Sequence, residues 1–251
     1  MSLEGKVAFI TGGVKNLGAL VARTFAAEGA DLALHYHGSA AKEAADALAL
    51  ELQSSLPKIK VFIYQGDLAV AATVTEIYAA IVQDFGKLDV MVNTVGMVLK
   101  KPLIAVTEAE FDQMFAVNTK AAFLINQGAA KILTDGGRII NIVTSLLGAY
   151  TGGYSVYQGA KAPVEWFTKG LSKELQPRGI TANAIAPGPM DTPFFYGQED
   201  DHSVAFAKSM AIGGRLTKIE DVSPLIKFLA GPDGAWITGQ LIFPNGGFTT
   251  R

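Results

Sequence analysis

At 251 residues, 49% of them apolar, the chain is long enough to bury a substantial core as one large domain or two small ones. Its 21 Lys and Arg nearly balance 23 Asp and Glu, so no basic surplus points to nucleic acid and no charge block to a disordered tail. The lack of cysteine excludes disulfides, thiolate nucleophiles and thiolate metal sites, and three histidines, two of them only two residues apart, argue against a zinc centre.

The opening MSLEGKVAFI carries Glu4 and Lys6 ahead of a short apolar run, unlike a signal peptide, and no stretch of about 18 apolar residues follows. A soluble, cytoplasmic protein without a membrane partner is expected. Short apolar runs then recur: KVAFITG, DLALHYH, KVFIYQGD, LDVMVNTVG, GRIINIVTS, ITANAIAPG and QLIFPNGG. They predict seven strands. Helical periodicity fills the intervals, over 17–30, 42–55, 73–87, 108–133, 157–176 and 219–231, and Gly29, Gly86 and Gly231 fall where helices should stop. Strands apolar on both faces, alternating with helices, predict an α/β chain with a doubly wound, Rossmann-like parallel sheet, and no linker breaks the pattern. Residues 1–251 therefore read as one domain, with a longer polar connection at 189–216 as its only large excursion.

In such sheets ligands bind beyond the carboxyl ends of the strands, and the first strand-to-helix turn offers backbone N–H groups to a phosphate. TGGVKNLG at Thr11–Gly18 occupies that turn. Gly12 and Gly13 suit a tight exit from the strand and Gly18 a close approach of the helix; Asn16 stands where many dinucleotide fingerprints have glycine, but asparagine tolerates the left-handed conformation. The second strand ends in HYHGSA, without the acid that accepts from an adenosine ribose. Lys15, His35 or His37, and Ser39 instead suit a 2′-phosphate, which favours NADP(H), with NAD(H) as the alternative.

Tyr157 and Lys161 in YQGAK share one helix face. A nearby ammonium lowers a phenol's pKa, so proton exchange with a carbonyl or alcohol oxygen becomes feasible. Ser145, near the end of GRIINIVTS, can donate to the same oxygen; Thr144 is its local competitor. Alternatively Tyr150, Tyr154 and Tyr157 form an aromatic packing stripe.

Taken in order, TGGVKNLG, NTVG at 93–96, Asn118, Ser145, YQGAK, APGPMDT at 186–192 and the closing ITGQLIFPNGG resemble the short-chain dehydrogenase/reductase family over essentially the whole chain. The resemblance implies an oxidoreductase acting on CH–OH or C=O. It makes Tyr157 the general acid for reduction, Lys161 the group that lowers its pKa and binds the nicotinamide ribose, Ser145 the polariser of the carbonyl, and Asn118 the holder of a relay water. Gly12, Lys15, Asn16, Leu17 and Gly18 would take the cofactor phosphates, Asp67 and Leu68 the adenine, and Pro187, Gly188 and Thr192 the nicotinamide. Asn93 would stabilise the fourth strand and Gly96 admit the cofactor.

NTVG replaces the commoner NNAG. Lys15 with HYHGSA resembles pteridine reductases, but these generally carry an acid at the Ser145 position and an arginine near Asn16; the spacing is closer to 3-oxoacyl carrier-protein reductases and NADPH carbonyl reductases. The expected activity is NADPH-dependent reduction of a ketone, with a 3-oxoacyl carrier-protein reductase and a non-catalytic NADP(H) sensor as rivals. Phe194, Phe195, Tyr196, Phe206 and Met210 predict a mobile lid with an apolar inner face, which suits a small hydrophobic carbonyl or alcohol substrate. Family members are usually homotetramers, joined through helices near 107–133 and 157–176 and the last strand.

Overall fold

The computed structural model describes residues 2–149 and 151–251. Its strands are β1 (Val7–Thr11), β2 (Asp31–Tyr36), β3 (Val61–Gln65), β4 (Leu88–Asn93), β5 (Leu133–Ile142), β6 (Thr181–Ile185) and β7 (Leu241–Ile242). All pair in parallel, in the order β3-β2-β1-β4-β5-β6-β7. The connecting helices are α1 (Asn16–Ala27), α2 (Lys42–Ser55), α3 (Ala71–Phe85), α4 (Glu108–Phe115), α5 (Ala121–Ile132), α6 (Ser155–Glu174), α7 (Pro193–Tyr196), α8 (Asp201–Ser209) and α9 (Ile219–Ala230).

Every residue of β1, β4 and β6 is buried, as strands covered on both faces require. The period-2 geometry sends alternate side chains to two cores. Ala8 and Ile10 join Phe25 of α1, Leu48 of α2 and Ile226 of α9 on one face; Val7 and Phe9 join Ile77 and Tyr78 of α3 and Ile125 of α5 on the other. The Phe9 and Tyr78 rings meet edge to face at 5.4 Å. Removing a buried ring of this kind costs about 3–5 kcal/mol.

The strand order reverses between β1 and β4, where Thr11 lies level with Asn93. The turns after these strands diverge, opening the crevice in which a ligand of a doubly wound sheet is bound.

Three features differ from the sequence expectation. The helix expected over 108–133 is interrupted by a five-residue π turn, Ala116–Lys120. There the Asn118 amide donates to the Met114 carbonyl at 3.1 Å, a bond that competes with the regular backbone ladder. The connection at 189–216 is not simply irregular, since α7 and α8 form within it, the second capped by the Asp200 carboxylate on the Ser203 N–H at 2.7 Å. The last strand is only two residues long, and Pro244, which has no N–H to donate, follows soon after.

Candidate active site

The turn after β1 is shaped by its glycines and by His35. Gly12 has φ 63°, and Asn16, which opens α1, has φ 45°, the left-handed conformation anticipated for it. A Cβ on Gly18 would collide with the Gly12 carbonyl. The Gly12 N–H donates to His35 Nδ1 at 3.3 Å, so Nε2 carries the ring proton and donates to the Gly66 carbonyl at 2.9 Å. His35 is thus buried between the first and third strand ends, and burial pushes its pKa down to about 4. It is neutral at physiological pH and offers no cation to a phosphate, contrary to the sequence expectation; it braces the turn instead.

Lys15, Asn16 and His37 are exposed on a cavity of about 400 Å³, whose wall also includes Gly12, Leu17 and Gly18. Asp67 and Leu68, after β3, line its far end, with the Asp67 carboxylate accepting from the Ala69 N–H at 2.9 Å. Ser39 is exposed in the turn following β2 and does not line this cavity.

Asn93 lies beneath the cavity floor. Its Oδ1 accepts from Thr11 Oγ1 at 2.8 Å and from the Val95 N–H at 3.2 Å, so it ties β1 to the turn after β4. Gly96 lines the cavity, but its lack of a side chain is required from behind as well: a Cβ there would lie 2.8 Å from Lys161 Nζ and 3.0 Å from Asn118 Oδ1. Asn118 clamps the same turn, accepting from the Met97 N–H at 3.1 Å and donating to the Met97 carbonyl at 3.0 Å.

Tyr157 and Lys161 sit one turn apart on the buried face of α6. Lys161 Nζ donates to the carbonyls of Val95 and Ile142, each at 3.2 Å. Burial pushes the ammonium down to about 8 and the Tyr157 phenol up to about 12, the latter opposed by a hydrogen bond from Thr144. The phenol is therefore not lowered as the sequence pattern implies; desolvation outweighs the charge-stabilising contacts, and the neutral proton-donor form is favoured. Tyr154 precedes α6 as its cap residue and its ring packs edge to face on that of Tyr157 at 6.1 Å, so these two aromatics do pack together although Tyr154 is outside the helix; Tyr150 lies outside the described residues. The Ser145 hydroxyl donates to the Ala186 carbonyl at 2.8 Å and accepts from Asn245 Nδ2 at 3.1 Å.

A second cavity, of about 410 Å³, meets the first at Tyr157, Thr192 and Phe194. Pro187 and Gly188 border this cavity rather than the first, and a Cβ on Gly188 would lie 2.7 Å from Thr217 Oγ1. Phe194, Phe195 and Phe206 supply much of its outer wall, whereas the Tyr196 hydroxyl turns to Asp191 at 2.7 Å and Met210 is exposed. Lys100 and the Tyr154 hydroxyl both bond to the Glu199 carboxylate, which anchors the 189–216 segment over the cavity.

A family model described as Enoyl-(Acyl carrier protein) reductase matches residues 12–249. A short-chain type dehydrogenase/reductase from Picea abies is 36% identical, over 98% of this chain and 93% of its own. The chain belongs to the short-chain dehydrogenase/reductase family. An NADPH-dependent aldehyde reductase-like protein of Arabidopsis thaliana, described as chloroplastic, is 35% identical over 99% of this chain and 96% of its own. Among solved structures, a Burkholderia cenocepacia protein with bound NADP is 47% identical, with a TM-score of 0.96 over 100% of this chain and 96% of that one. Like these relatives, the chain is an oxidoreductase of CH–OH and C=O groups. Among the described residues, no helix is long and apolar enough to cross a membrane.

Two features of this short-chain dehydrogenase/reductase escaped the sequence reading. Asn245, buried in the closing PNGG, holds the Ser145 hydroxyl and also donates to the Thr249 carbonyl at 2.8 Å; the only signal was an asparagine beside two glycines after an apolar run. Behind the site Asn126, Asn141 and Thr168 form a buried chain of 3.0 Å hydrogen bonds. No linear spacing announces it, because its members come from three elements.

Proposed function

We propose that the protein is an NADPH-dependent reductase of apolar ketones. The observation that carries this reading is the junction of the two cavities at Tyr157, with Lys161 buried one turn behind it. A dinucleotide fits the residues present: Gly12 and Gly18 of the glycine turn line the first cavity, where a pyrophosphate would lie, and Thr192 Oγ1 is buried at the junction without a partner, so a carboxamide would satisfy it. Lys15 and His37 would hold a 2′-phosphate, Asp67 and Leu68 the adenine, and Lys161 a ribose hydroxyl. The bound cofactor supplies a hydride to the carbonyl carbon. Tyr157 gives its proton to the oxygen, and Lys161, which borders the first cavity, supports reprotonation of the phenolate. Phe194, Phe195 and Phe206 favour an apolar or aromatic ketone over a sugar, with residues 189–216 acting as a lid that excludes water.

A carrier-protein substrate is disfavoured by charge. The basic residues that would dock an acidic carrier are already paired: Lys100 with Glu199, Lys101 with Glu110 at 2.8 Å and Arg178 with Asp135 at 2.9 Å. The intact Tyr157 and Lys161 speak against a silent sensor. Leu103, Ile104, Phe111, Phe123 and Trp166 expose apolar surface around α4, α5 and α6, which supports a subunit interface there, as a homotetramer would require.

Turnover of diketones, aromatic ketones, quinones, enones and 3-oxoacyl thioesters, with NADPH and NADH in parallel, tests the proposal. Faster NADPH oxidation with apolar ketones is expected. Preference for the thioesters, or reduction of the enone C=C in place of its C=O, would overturn it.

A further inference from the structure

We propose that the Glu199 carboxylate receives a hydroxyl group of the substrate in the second cavity, so that the preferred ketone is an aryl ketone with a neutral hydroxyl opposite its carbonyl. The inference rests on reading the site as a ketone reductase and deepens it by naming the substrate class.

The second cavity has two polar regions. Tyr157 and Thr192 mark its junction with the first cavity, and Val98, Phe194 and Phe206 contribute apolar wall. Lys100, Tyr154, Glu199 and Ser203 form a separate polar cluster on that wall. Tyr154 links the two regions: its ring meets that of Tyr157 at 6.1 Å, and its hydroxyl donates to Glu199. The carboxylate therefore lies across an aromatic ring from Tyr157.

The Glu199 side chain is 5% exposed, yet its hydrogen bonding is only partly spent. Among the described residues, one oxygen accepts from Tyr154 and the other from Lys100 Nζ, which leaves about half of a carboxylate's acceptor sites open. Lys100 Nζ gives a second proton to Ser203 Oγ at 3.3 Å and has a third to donate. A wholly apolar substrate that displaced water from this wall would leave those groups unsatisfied, and that is costly for a charged acceptor. A hydroxyl avoids the cost, since it donates to Glu199 while its oxygen accepts from Lys100.

Charge narrows the choice further. The Ser203 N–H bonds to the adjacent Asp200 at 2.7 Å and holds that carboxyl below its usual range. Glu199, Asp200 and Asp201 outnumber Lys100 and His202, so an anionic group on the substrate is repelled. An ether oxygen has no proton to give to Glu199.

The test uses phenylpropanedione carrying a para-hydroxy, para-methoxy or para-carboxy group, with NADPH, in the wild type, Glu199→Gln and Tyr154→Phe. Each ketone's intrinsic reactivity cancels when ratios of kcat/KM are compared between proteins. The hydroxy-to-methoxy ratio should fall by about fivefold or more in Glu199→Gln, the difference between a charged and a neutral acceptor, and the para-carboxy ketone should gain relative to the other two. Tyr154→Phe cuts one anchor of the 189–216 segment but keeps the carboxylate, so it should lower kcat/KM for hydroxy and methoxy ketones alike and preserve their ratio. Unchanged ratios in Glu199→Gln, or the same fall in Tyr154→Phe, would overturn the proposal and leave Glu199 as an anchor only.

A second readout does not depend on turnover. By calorimetry with NADP+ present, the para-hydroxy ketone should bind the wild type about tenfold more tightly than the para-methoxy ketone, with the contrast reduced in Glu199→Gln. Equal contrasts in the two proteins would overturn the assignment. If the wild type reduces no ketone, the functional reading fails while this measurement still decides the role of Glu199.

Discussion

His35 should make stability depend on pH in a way that one substitution removes. Its imidazole is buried between Gly12 and Gly66, and its pKa falls from 6.5 to about 4 on folding because burial penalises the charged form. A group with a depressed folded pKa binds its proton more readily when unfolded. The stability it preserves is complete above pH 6.5 and is lost progressively as pH falls towards the folded value. A shift of this size at about 1.4 kcal/mol per pH unit corresponds to roughly 3 kcal/mol in full, of which roughly 2 kcal/mol is lost between pH 7 and pH 5. Urea melts at those two pH values measure this in the wild type and in His35→Gln, which does not titrate. Losses from carboxylates and the other histidines are common to both proteins and subtract. The variant should start less stable at pH 7, since the Gly12 N–H and Gly66 carbonyl lose well-placed partners, but should fall by roughly 2 kcal/mol less on acidification. Equal falls in the two proteins would refute the buried, neutral bracing role.

Gly96→Ala puts a methyl group 2.8 Å from Lys161 Nζ, so the ammonium must leave its carbonyl partners; kcat should fall at least about tenfold in steady-state assays while the fold, followed by circular dichroism, persists. Lys161, held near 8, should give kcat/KM for reduction a descending limb around pH 8 if its ammonium is the working form, because the lysine is charged below that value and neutral above it; a profile flat to pH 10 would contradict this. Lys15→Ala should raise the KM for NADPH by about three- to tenfold, the scale of an exposed charge contact, and leave that for NADH unchanged. Equal effects on both cofactors would remove Lys15 from the 2′-phosphate site.

The fold was legible because its strands are short apolar runs and its helices keep their stripe even across awkward residues. Pro163 and Pro224 lie inside α6 and α9, where each removes a ladder hydrogen bond, yet packing of the buried faces holds both helices. The glycine turn and the left-handed Asn16 were legible for a stereochemical reason, since few other residues accept those backbone angles. What the sequence did not reveal depends on direction and partnership. HYH names two histidines, but only the folded chain shows that His35 is buried as a neutral brace of the turn while His37 is exposed. VTS names two hydroxyls, and only the folded chain shows that of Ser145 turned to the Ala186 carbonyl and held by Asn245. The π turn at Asn118 and α8 beside the second cavity likewise involve side-chain bonds to the backbone, which hydrophobic periodicity does not register.

The central claim is that this chain moves a hydride to a ketone with Tyr157 as the proton donor. The most direct measurement is single-turnover reduction of an aromatic diketone by NADPH deuterated at nicotinamide C4, in the wild type and in Tyr157→Phe. Deuterium is predicted at the carbinol carbon in the wild type, with transfer at least about a hundredfold slower in the variant and its NADPH affinity preserved. Equal rates in the two proteins, or deuterium absent from the carbinol carbon, would contradict the account.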